Sequence, residues 1–194
     1  MDKLKVGILG SGRGSNFEAI AQSIDEGALN ADIRVVISDV ENSGILQLAH
    51  KWEIRAEFVN PGQFRTKMSV EAEARVIEIL KEEGVDLVVL AGFMRIVGAQ
   101  LLRAFPDRIL NIHPSLLPKF PGLEAWRQAL EAGETVTGCT VHYVDAIVDG
   151  GRIIAQEKVP ILPGDTPESL HQRIQKAEHI LYPKAISYFR SENL

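Results

Sequence analysis

The sequence predicts an α/β fold with a doubly wound, mostly parallel sheet, helices on both faces and an antiparallel edge near the carboxyl end. Short β-branched runs alternate with longer stretches of helical spacing, which is typical of such sheets. The run from Asp86 to Leu90 is apolar after its first residue, as in strands buried on both faces. Two strand-like runs near the carboxyl end are joined by the loop 145–151, whose Asp149-Gly150 turn signal favours an antiparallel pair.

Each element has its own boundary signal. Glycines end the first strand, and apolar residues then recur at helical spacing at Phe17, Ile20 and Ile24. Thr166 and Pro167 open the last helix as an N-cap residue and a first-turn proline. The predicted strands are 6–9, 33–37, 56–59, 86–90, 109–113, 139–144 and 151–159. The predicted helices are 16–24, 46–52, 68–82 and one that follows Thr166, with a core stripe of Leu170, Ile174, Ala177 and Leu181.

Length and composition are those of an ordinary globular chain. The 194 residues are 45% hydrophobic with a formal net charge of −5, which suits a single domain over 1–194. The acidic balance disfavours nucleic-acid binding, and no apolar run approaches the roughly 20 residues that span a bilayer. The apolar start is too short for a signal peptide, so a cytoplasmic protein is expected. The single cysteine, Cys139, excludes an intramolecular disulfide and disfavours a cysteine-based zinc site.

The first candidate site is the glycine-rich segment 10–16, which follows a strand and opens a helix. Backbone N–H groups and the helix dipole at such a turn attract an anion such as phosphate. A dinucleotide fingerprint starting at Gly10 would need glycine at position 15, where Ser15 stands, and no Walker lysine follows. A bound monophosphate is therefore favoured over a dinucleotide, and a tight turn without a ligand is the alternative.

The second candidate is the polar pair Asn111 and His113, which stand two apart on a predicted strand and so share a face. An amide can donate to a developing oxyanion, and an imidazole can move a proton near neutral pH. Ligands bind at the carboxyl ends of strands in open α/β sheets, and three prolines fix the chain that leaves this strand. A hydrogen-bonded structural histidine is the alternative.

The third candidate is Asp149, in the glycine-rich loop after the sixth strand. Its carboxylate would hold one tautomer of His113 and favour the imidazolium, or it would simply cap its own turn. His142 on the adjoining strand is a rival partner, and a structural or surface role is favoured for it.

The last helix carries a fourth group of polar residues. Gln175 and Glu178 are i, i+3 neighbours, and a solvated helix face is the ordinary interpretation of such a pair. His171 and His179 lie near Glu178, but they lack the dense spacing of metal ligands. No metal site is therefore expected.

Together these segments resemble the phosphoribosylglycinamide formyltransferases, the folate-dependent transformylases of purine biosynthesis. The Asn-x-His-Pro-Ser-Leu-Leu-Pro run is specific to domains that use 10-formyltetrahydrofolate, including methionyl-tRNA formyltransferase and formyltetrahydrofolate hydrolase. Those two relatives typically carry an extra domain, for which 194 residues leave no room. The resemblance implies a Rossmann-like formyltransferase fold, with a phosphate-binding half at about 1–105 and a catalytic and folate-binding half at about 106–194. The matching segments lie in family order at 12–16, 90–95, 111–122, 149–151 and 175–183.

The resemblance also implies a role for each candidate residue. Asn111 and protonated His113 would stabilise the oxyanion of a tetrahedral intermediate, and Asp149 would raise the pKa of His113. No metal or covalent nucleophile is implied, the partners are small molecules, and the chain would be a monomer or a homodimer. Phosphoribosylglycinamide would bind through Gly14, Ser15, Asn16, Gln175 and Glu178. The co-substrate 10-formyltetrahydrofolate would contact Lys67, Met94, Arg95, Ile96, Val97, Asn111, Asp145 and Asp149.

The sequence leaves two other functions open. Hydrolysis of 10-formyltetrahydrofolate, with water in place of the amine, would use the same three catalytic residues without a phosphate site. A non-catalytic nucleotide- or NAD-binding module would use the glycines at 10–14 and Asp39 at the end of the second strand. A module of this kind does not account for the proline-rich segment from residue 111 to residue 122.

Overall fold

The computed structural model describes residues 2–192, which form seven strands and six helices. The strands are β1 (Leu4–Leu9), β2 (Ala31–Ser38), β3 (Ala56–Phe58), β4 (Leu87–Leu90), β5 (Ile109–His113), β6 (Val136–Tyr143) and β7 (Ile153–Pro160). The helices are α1 (Ser15–Asp25), α2 (Gly44–Lys51), α3 (Val70–Glu82), α4 (Ala99–Ala104), α5 (Ala125–Glu131) and α6 (Pro167–Glu192). Among these residues, none of the helices has both the length and the apolarity that a membrane crossing requires.

The strands form a sheet in the order β3-β2-β1-β4-β5-β6-β7. β1 is parallel to both β2 and β4, and β2 is also parallel to β3. β6 and β7 pair antiparallel, from Val136 opposite Pro160 to His142 opposite Ile153. The predicted doubly wound, mostly parallel sheet with an antiparallel carboxyl-terminal edge is confirmed.

The chain divides into two compact units, Met1–Leu110 and Asn111–Leu194. In the first unit, Val6, Ile8, Val88 and Val89 are fully buried. β1 and β4 are therefore covered on both faces, which explains their continuous apolar sequences. In the second unit, β6 is buried along almost its whole length, whereas β7 is largely exposed.

The last helix departs from its predicted core stripe. Leu170, Ile174 and Leu181 are buried, but Ala177 is only half-buried and Glu178 is 5% exposed. The helical period places residue 178 between 174 and 181 on the same face, so the carboxylate lies in the stripe. A solvated helix face, the ordinary interpretation of a polar pair such as Gln175 and Glu178, therefore does not apply to Glu178.

Two helices are absent from the sequence prediction. α4 has six residues and buries only Leu101, and α5 buries only the small residues Ala125 and Ala129. With six and seven residues and only two large apolar side chains each, both are too short for a helical period to show in the sequence.

The turn between β1 and α1 packs against the start of α2. Gly14 is the N-cap residue of α1 at φ 86°, and a Cβ built on it would lie 2.8 Å from the Cα of Ile45. The Ile45 N–H also donates to the Gly12 carbonyl at 3.0 Å. Gly12 itself has open space where its Cβ would lie. Only glycine therefore fits position 14, whereas position 12 accommodates a methyl group.

Gly14→Ala should lower the free energy of unfolding by about 1–3 kcal/mol, because the new methyl group meets Ile45 and the backbone stays in the left-handed region. Gly12→Ala is the matched control and should change it by less than about 0.5 kcal/mol. Urea unfolding of both variants gives the comparison. Equal losses at the two positions would contradict this packing.

Candidate active site

β5 presents Asn111 and His113 on one face, because alternate residues of a strand point the same way. Asn111 is half-buried and His113 is 5% exposed. Both stand at the carboxyl end of the strand, and Pro114 follows directly. The amide and the imidazole are therefore close together on a rigid element.

Both ring nitrogens of His113 face an acceptor. Nε2 lies 2.8 Å from the carbonyl oxygen of Phe120, which can only accept, so the Nε2–H donates there. Nδ1 lies 3.4 Å from Oδ2 of Asp149. A neutral ring carries one proton, which the shorter contact assigns to Nε2. A second proton therefore binds at Nδ1, beside the carboxylate.

Asp149 is held by the backbone around it. Its φ of 54° lies in the left-handed region, which aspartate adopts more readily than most residues. Its Oδ2 accepts the N–H of Gly122 at 2.8 Å. A Cβ on Gly151 would collide with the Tyr143 carbonyl, so the loop closes here only with glycine. The carboxylate thus bonds to a distant loop instead of merely capping its own turn.

His142 on β6 contacts both Asn111 and Asp149. Its Nδ1–H donates to the Tyr143 carbonyl at 2.8 Å, which leaves Nε2 as an acceptor in the neutral ring. Nε2 accepts from Asn111 Nδ2 at 3.2 Å and lies 3.7 Å from Asp149 Oδ1. His142 is 2% exposed, so a surface role is wrong for it. The signal for its burial is its position in the apolar run of β6.

Burial governs the protonation of His113. It lowers the pKa of His113 below the ordinary 6.5, although the Phe120 carbonyl and the charge of Asp149 both raise it. Asp149 acts in the expected direction, but desolvation outweighs its effect and that of the Phe120 carbonyl, so the net pKa is lowered. Burial alone would raise the pKa of Asp149, yet interactions with His142, the Gly122 N–H and His113 bring it below its ordinary value. At pH 7 the pair is therefore mostly a neutral imidazole beside a carboxylate.

In the first unit, α1 begins without a side-chain cap. Its N-cap residue is Gly14, and Ser15 and Asn16 are its first helical residues. Glu18 N–H donates to the Gly14 carbonyl at 2.9 Å, so helical hydrogen bonding starts only there. The backbone N–H groups of the first turn and the positive end of the dipole provide the geometry that an anion needs.

Asp39 is bonded within the first unit. Its Oδ1 accepts from the Ser11 hydroxyl at 2.5 Å and its Oδ2 from Arg95 Nε at 2.6 Å. Ser11 Oγ in turn accepts the N–H of Met94 at 2.9 Å, while the Met94 side chain is 63% exposed. A ribose hydroxyl would have to displace these partners, so Asp39 does not suit the dinucleotide alternative. The charge of Arg95 is paired in the same contact.

The segment around Arg95 and Lys67 has a partly apolar surface. The Arg95 guanidinium also donates to the Phe64 carbonyl at 2.6 Å. Lys67 forms an isolated bridge with Ile96, and its Nζ lies 4.7 Å from the centre of the Phe64 ring. Lys67, Ile96 and Val97 help to line a cavity of about 260 Å³. Three of the residues implied for folate therefore share one cavity.

The remaining predicted residues lie in the second unit. Asp145 accepts the N–H of Ile147 at 2.8 Å and so caps the loop that it begins. Glu178 is buried and Gln175, one turn earlier, is half-buried. Burial, followed by the charge of Glu178, raises the pKa of Cys139 to about 12. Cys139 is therefore an unreactive thiol, and Glu178 lies within electrostatic reach of β6.

On α6, His171, Glu178 and His179 are of the residue types that a metal site needs. The His171 ring stacks on Trp126, with ring centres 3.7 Å apart and planes 2° from parallel. Within residues 2–192, no group of three or more histidine, cysteine, aspartate or glutamate side chains is arranged to hold a metal ion.

Two features define the class of protein. The first unit offers a helix terminus suited to an anion, and the second groups an amide, a buried histidine and a carboxylate at a strand end. The fold is a Rossmann-like α/β sheet, and an amide, an imidazole and a carboxylate are side-chain types that can stabilise an oxyanion and transfer protons. Residues 4–186 match the formyl transferase family. Because that match spans nearly the whole sequence, the chain belongs to the formyl transferase family.

Individual proteins are also similar to this chain over most of its length. Glycinamide ribonucleotide transformylase 1 from Symbiobacterium toebii is 49% identical, with a TM-score of 0.93 over 99% of this chain and 90% of that chain. A formyltetrahydrofolate deformylase from Pseudomonas syringae pv. tomato is 26% identical, with a TM-score of 0.87 over 96% of this chain and 61% of that chain. Trifunctional purine biosynthetic protein adenosine-3 from Drosophila pseudoobscura pseudoobscura is 44% identical over 189 residues. That match covers 96% of this chain, which spans 14% of the length of the trifunctional protein.

NMR titration of the free protein should give a pKa for His113 below 6.5, because burial outweighs the two contacts that raise it. Asp149→Asn should lower this pKa further, since the carboxylate charge favours the imidazolium. Asp32→Asn, which breaks a surface pair with Arg34, is the control and should leave it unchanged. A pKa above 6.5 in the native protein, or a rise in Asp149→Asn, would contradict this balance.

Proposed function

We propose that this protein transfers the formyl group of 10-formyltetrahydrofolate to the amine of phosphoribosylglycinamide, a step of purine biosynthesis. The observation that carries the proposal is the grouping of Asn111, His113 and Asp149, since formyl transfer needs an oxyanion donor and a proton carrier. The name of the Symbiobacterium toebii enzyme, a glycinamide ribonucleotide transformylase, supports the choice of substrate. The trifunctional relative, named as a purine biosynthetic protein, supports the pathway.

The proposed reaction proceeds by direct attack. The amine lone pair forms a bond to the formyl carbon, and the π electrons of the C=O bond move to its oxygen. The tetrahedral intermediate then collapses, which restores the C=O bond and breaks the bond to N10 of the folate. N10 takes up a proton as tetrahydrofolate leaves, and the attacking nitrogen loses one. This sequence needs no redox step, metal ion or covalent enzyme intermediate.

Asn111 is assigned to the developing oxyanion. Its amide has two N–H bonds, and His142 accepts one of them at 3.2 Å. That contact fixes the amide plane, and the second N–H is then the donor to the substrate oxygen. A donor held in advance needs no reorganisation as charge develops, which is the source of its catalytic effect.

His113 is assigned to proton transfer. Its Nε2–H stays with Phe120, so the proton that it gains and loses near neutral pH is the one at Nδ1, beside Asp149. Protonated there, the ring stabilises the oxyanion and supplies a proton to N10, directly or through water. Burial favours the neutral ring in the free protein, whereas negative charge on the reacting oxygen favours the imidazolium. The positive charge thus develops as the transition state requires it.

The substrate contacts are assigned unit by unit. The uncapped start of α1 supports phosphate binding in the first unit, and the cavity beside Lys67 supports folate binding there. In the first unit, phosphate is assigned to Gly14, Ser15 and Asn16, and folate to Lys67, Met94, Arg95, Ile96 and Val97. In the second unit, folate is assigned to Asn111, Asp145 and Asp149, and the ribonucleotide to Glu178 with support from Gln175.

Hydrolysis of 10-formyltetrahydrofolate is the competing reaction, because the deformylase from Pseudomonas syringae has the same fold. It would use water in place of the amine and the same three residues. A dinucleotide module is disfavoured, since Asp39 is bonded to Ser11 and Arg95. A monomeric or homodimeric state, a cytoplasmic location and the lack of nucleic-acid or membrane partners stay predictions.

Turnover of 10-formyltetrahydrofolate by the purified protein, followed by folate absorbance, should require phosphoribosylglycinamide. Asn111→Ala should lower kcat by about 10²–10³-fold, the usual cost of one oxyanion donor. Asn42→Ala, on the exposed turn before α2, is the matched control and should keep full activity. Turnover without the ribonucleotide would identify a hydrolase instead, and no turnover with both substrates would contradict the proposal.

Asp149→Asn should lower kcat/KM, and the loss should grow as the pH rises through the pKa of His113. The carboxylate raises that pKa, so its removal leaves less protonated ring at any pH above it. At low pH both proteins hold the proton, so only the loss that comes from the other contacts of Asp149 remains. The ratio of the two rates from about pH 5 to 8 measures the effect. A ratio that does not change with pH would refute this role, provided that both proteins have the same Tm.

A further inference from the structure

The Phe120 carbonyl contacts His113 from a residue with an unusual backbone conformation. It accepts the Nε2–H of His113 at 2.8 Å, while Phe120 itself lies at φ 56°, in the left-handed region. Residues with a bulky side chain adopt this region only at an energetic cost. Such a conformation persists when neighbouring contacts hold it in place. Neighbouring groups must therefore hold this carbonyl against His113.

Ser115 is the nearest of these groups. Its side chain is fully buried, and its Oγ lies 2.6 Å from the Lys119 carbonyl and 3.3 Å from the Phe120 carbonyl. Its own N–H donates to the His113 carbonyl at 2.9 Å. Ser115 is therefore bonded both to the backbone of His113 and to the turn that carries the Phe120 carbonyl.

Thr140 on β6 holds the segment around Ser115. Its buried hydroxyl donates to the Ser115 carbonyl at 2.6 Å and accepts the Leu117 N–H at 3.0 Å. Gln156 on β7 donates to the same hydroxyl at 2.9 Å and to the Leu117 carbonyl at 2.9 Å. One donated and two accepted bonds use the full capacity of a hydroxyl group. The loop is thus attached to two strands through a single saturated oxygen.

The chemical consequence concerns the tautomer of His113. A neutral imidazole has one N–H, and here two acceptors compete for it, the Phe120 carbonyl and the Asp149 carboxylate. A carboxylate is ordinarily the stronger acceptor. If the Phe120 carbonyl were loosely held, the ring proton would therefore move from Nε2 to Nδ1, which faces Asp149. The fixed position of the Phe120 carbonyl keeps the proton on Nε2 and leaves Nδ1 to take up the second one.

We propose that Ser115, Thr140 and Gln156 are positioning residues, which fix the Phe120 carbonyl and thereby hold neutral His113 as its Nε2–H tautomer. The importance of this tautomer for turnover rests on the proposed formyl transfer. The tautomer itself is a property of the protein without substrates.

Imidazole ¹⁵N NMR of the free protein tests the proposal. Thr140→Val has nearly the same shape but lacks the hydroxyl, and it should shift neutral His113 toward the Nδ1–H tautomer. Thr140→Ser keeps the hydroxyl and should retain the native spectrum. Thr137→Val is the matched control on the same strand, because Thr137 is also buried but its hydroxyl has no hydrogen-bond partner among the described residues. Thr137→Val should leave the tautomer of His113 unchanged.

Activity provides a second readout. If the protein transfers formyl groups, Thr140→Val should lower kcat about tenfold or more, since misplaced catalytic groups carry costs of this order. KM for both substrates should stay within about twofold, because Thr140 is not assigned to either of them. Should Thr140→Val fail to fold, Gln156→Leu at the exposed edge strand tests the same link and should shift the tautomer in the same direction.

An unchanged tautomer in whichever of Thr140→Val and Gln156→Leu folds would overturn the proposal. An equal shift in Thr137→Val would do the same, because it would mark a general response of β6. A shifted tautomer in a protein without formyl transfer would uphold the positioning role and refute only the proposed function.

Discussion

The carboxylate of Asp149, placed between two buried histidines, is the interaction on which the polar site of the second unit depends. One oxygen lies 3.4 Å from Nδ1 of His113 and the other lies 3.7 Å from Nε2 of His142. The far nitrogen of each ring donates to a backbone carbonyl, that of Phe120 or of Tyr143. The position of this one carboxylate therefore influences the orientation of both imidazole rings. Because His142 accepts a hydrogen bond from Asn111, it also influences the orientation of the Asn111 amide.

Two opposing effects on the pKa meet at His113, and the contacts that raise it come from residues with unusual backbone angles. Burial lowers its pKa, while Asp149 and the Phe120 carbonyl raise it. A group balanced in this way gains its proton when negative charge appears nearby, which suits a reaction that passes through an oxyanion. Phe120 and Asp149 both have positive φ values, at 56° and 54°. The two contacts that favour the imidazolium thus come from residues in a costly backbone conformation.

Much of this arrangement follows from sequence pattern, and the rest depends on burial and backbone geometry. The spacing of Asn111 and His113 on an apolar strand predicts their shared face, and the strand and helix alternation predicts the sheet. The Phe120 carbonyl and the Gly122 N–H are backbone groups, which residue identity does not reveal. The net pKa of His113 reflects desolvation, which a sequence cannot weigh against a neighbouring charge. Glu178 departs from the ordinary interpretation of a polar helix pair because its carboxylate takes a place in an apolar stripe.

The most direct measurement compares two pKa values in one protein. The pH profile of kcat/KM reports the ionisation of essential groups in the free enzyme, and NMR titration reports His113 itself. We expect 10-formyltetrahydrofolate turnover in the presence of phosphoribosylglycinamide to follow the pKa of His113, and both pKa values to move together in Asp149→Asn. A kinetic pKa that stays fixed while the His113 pKa moves would show that another group carries the proton.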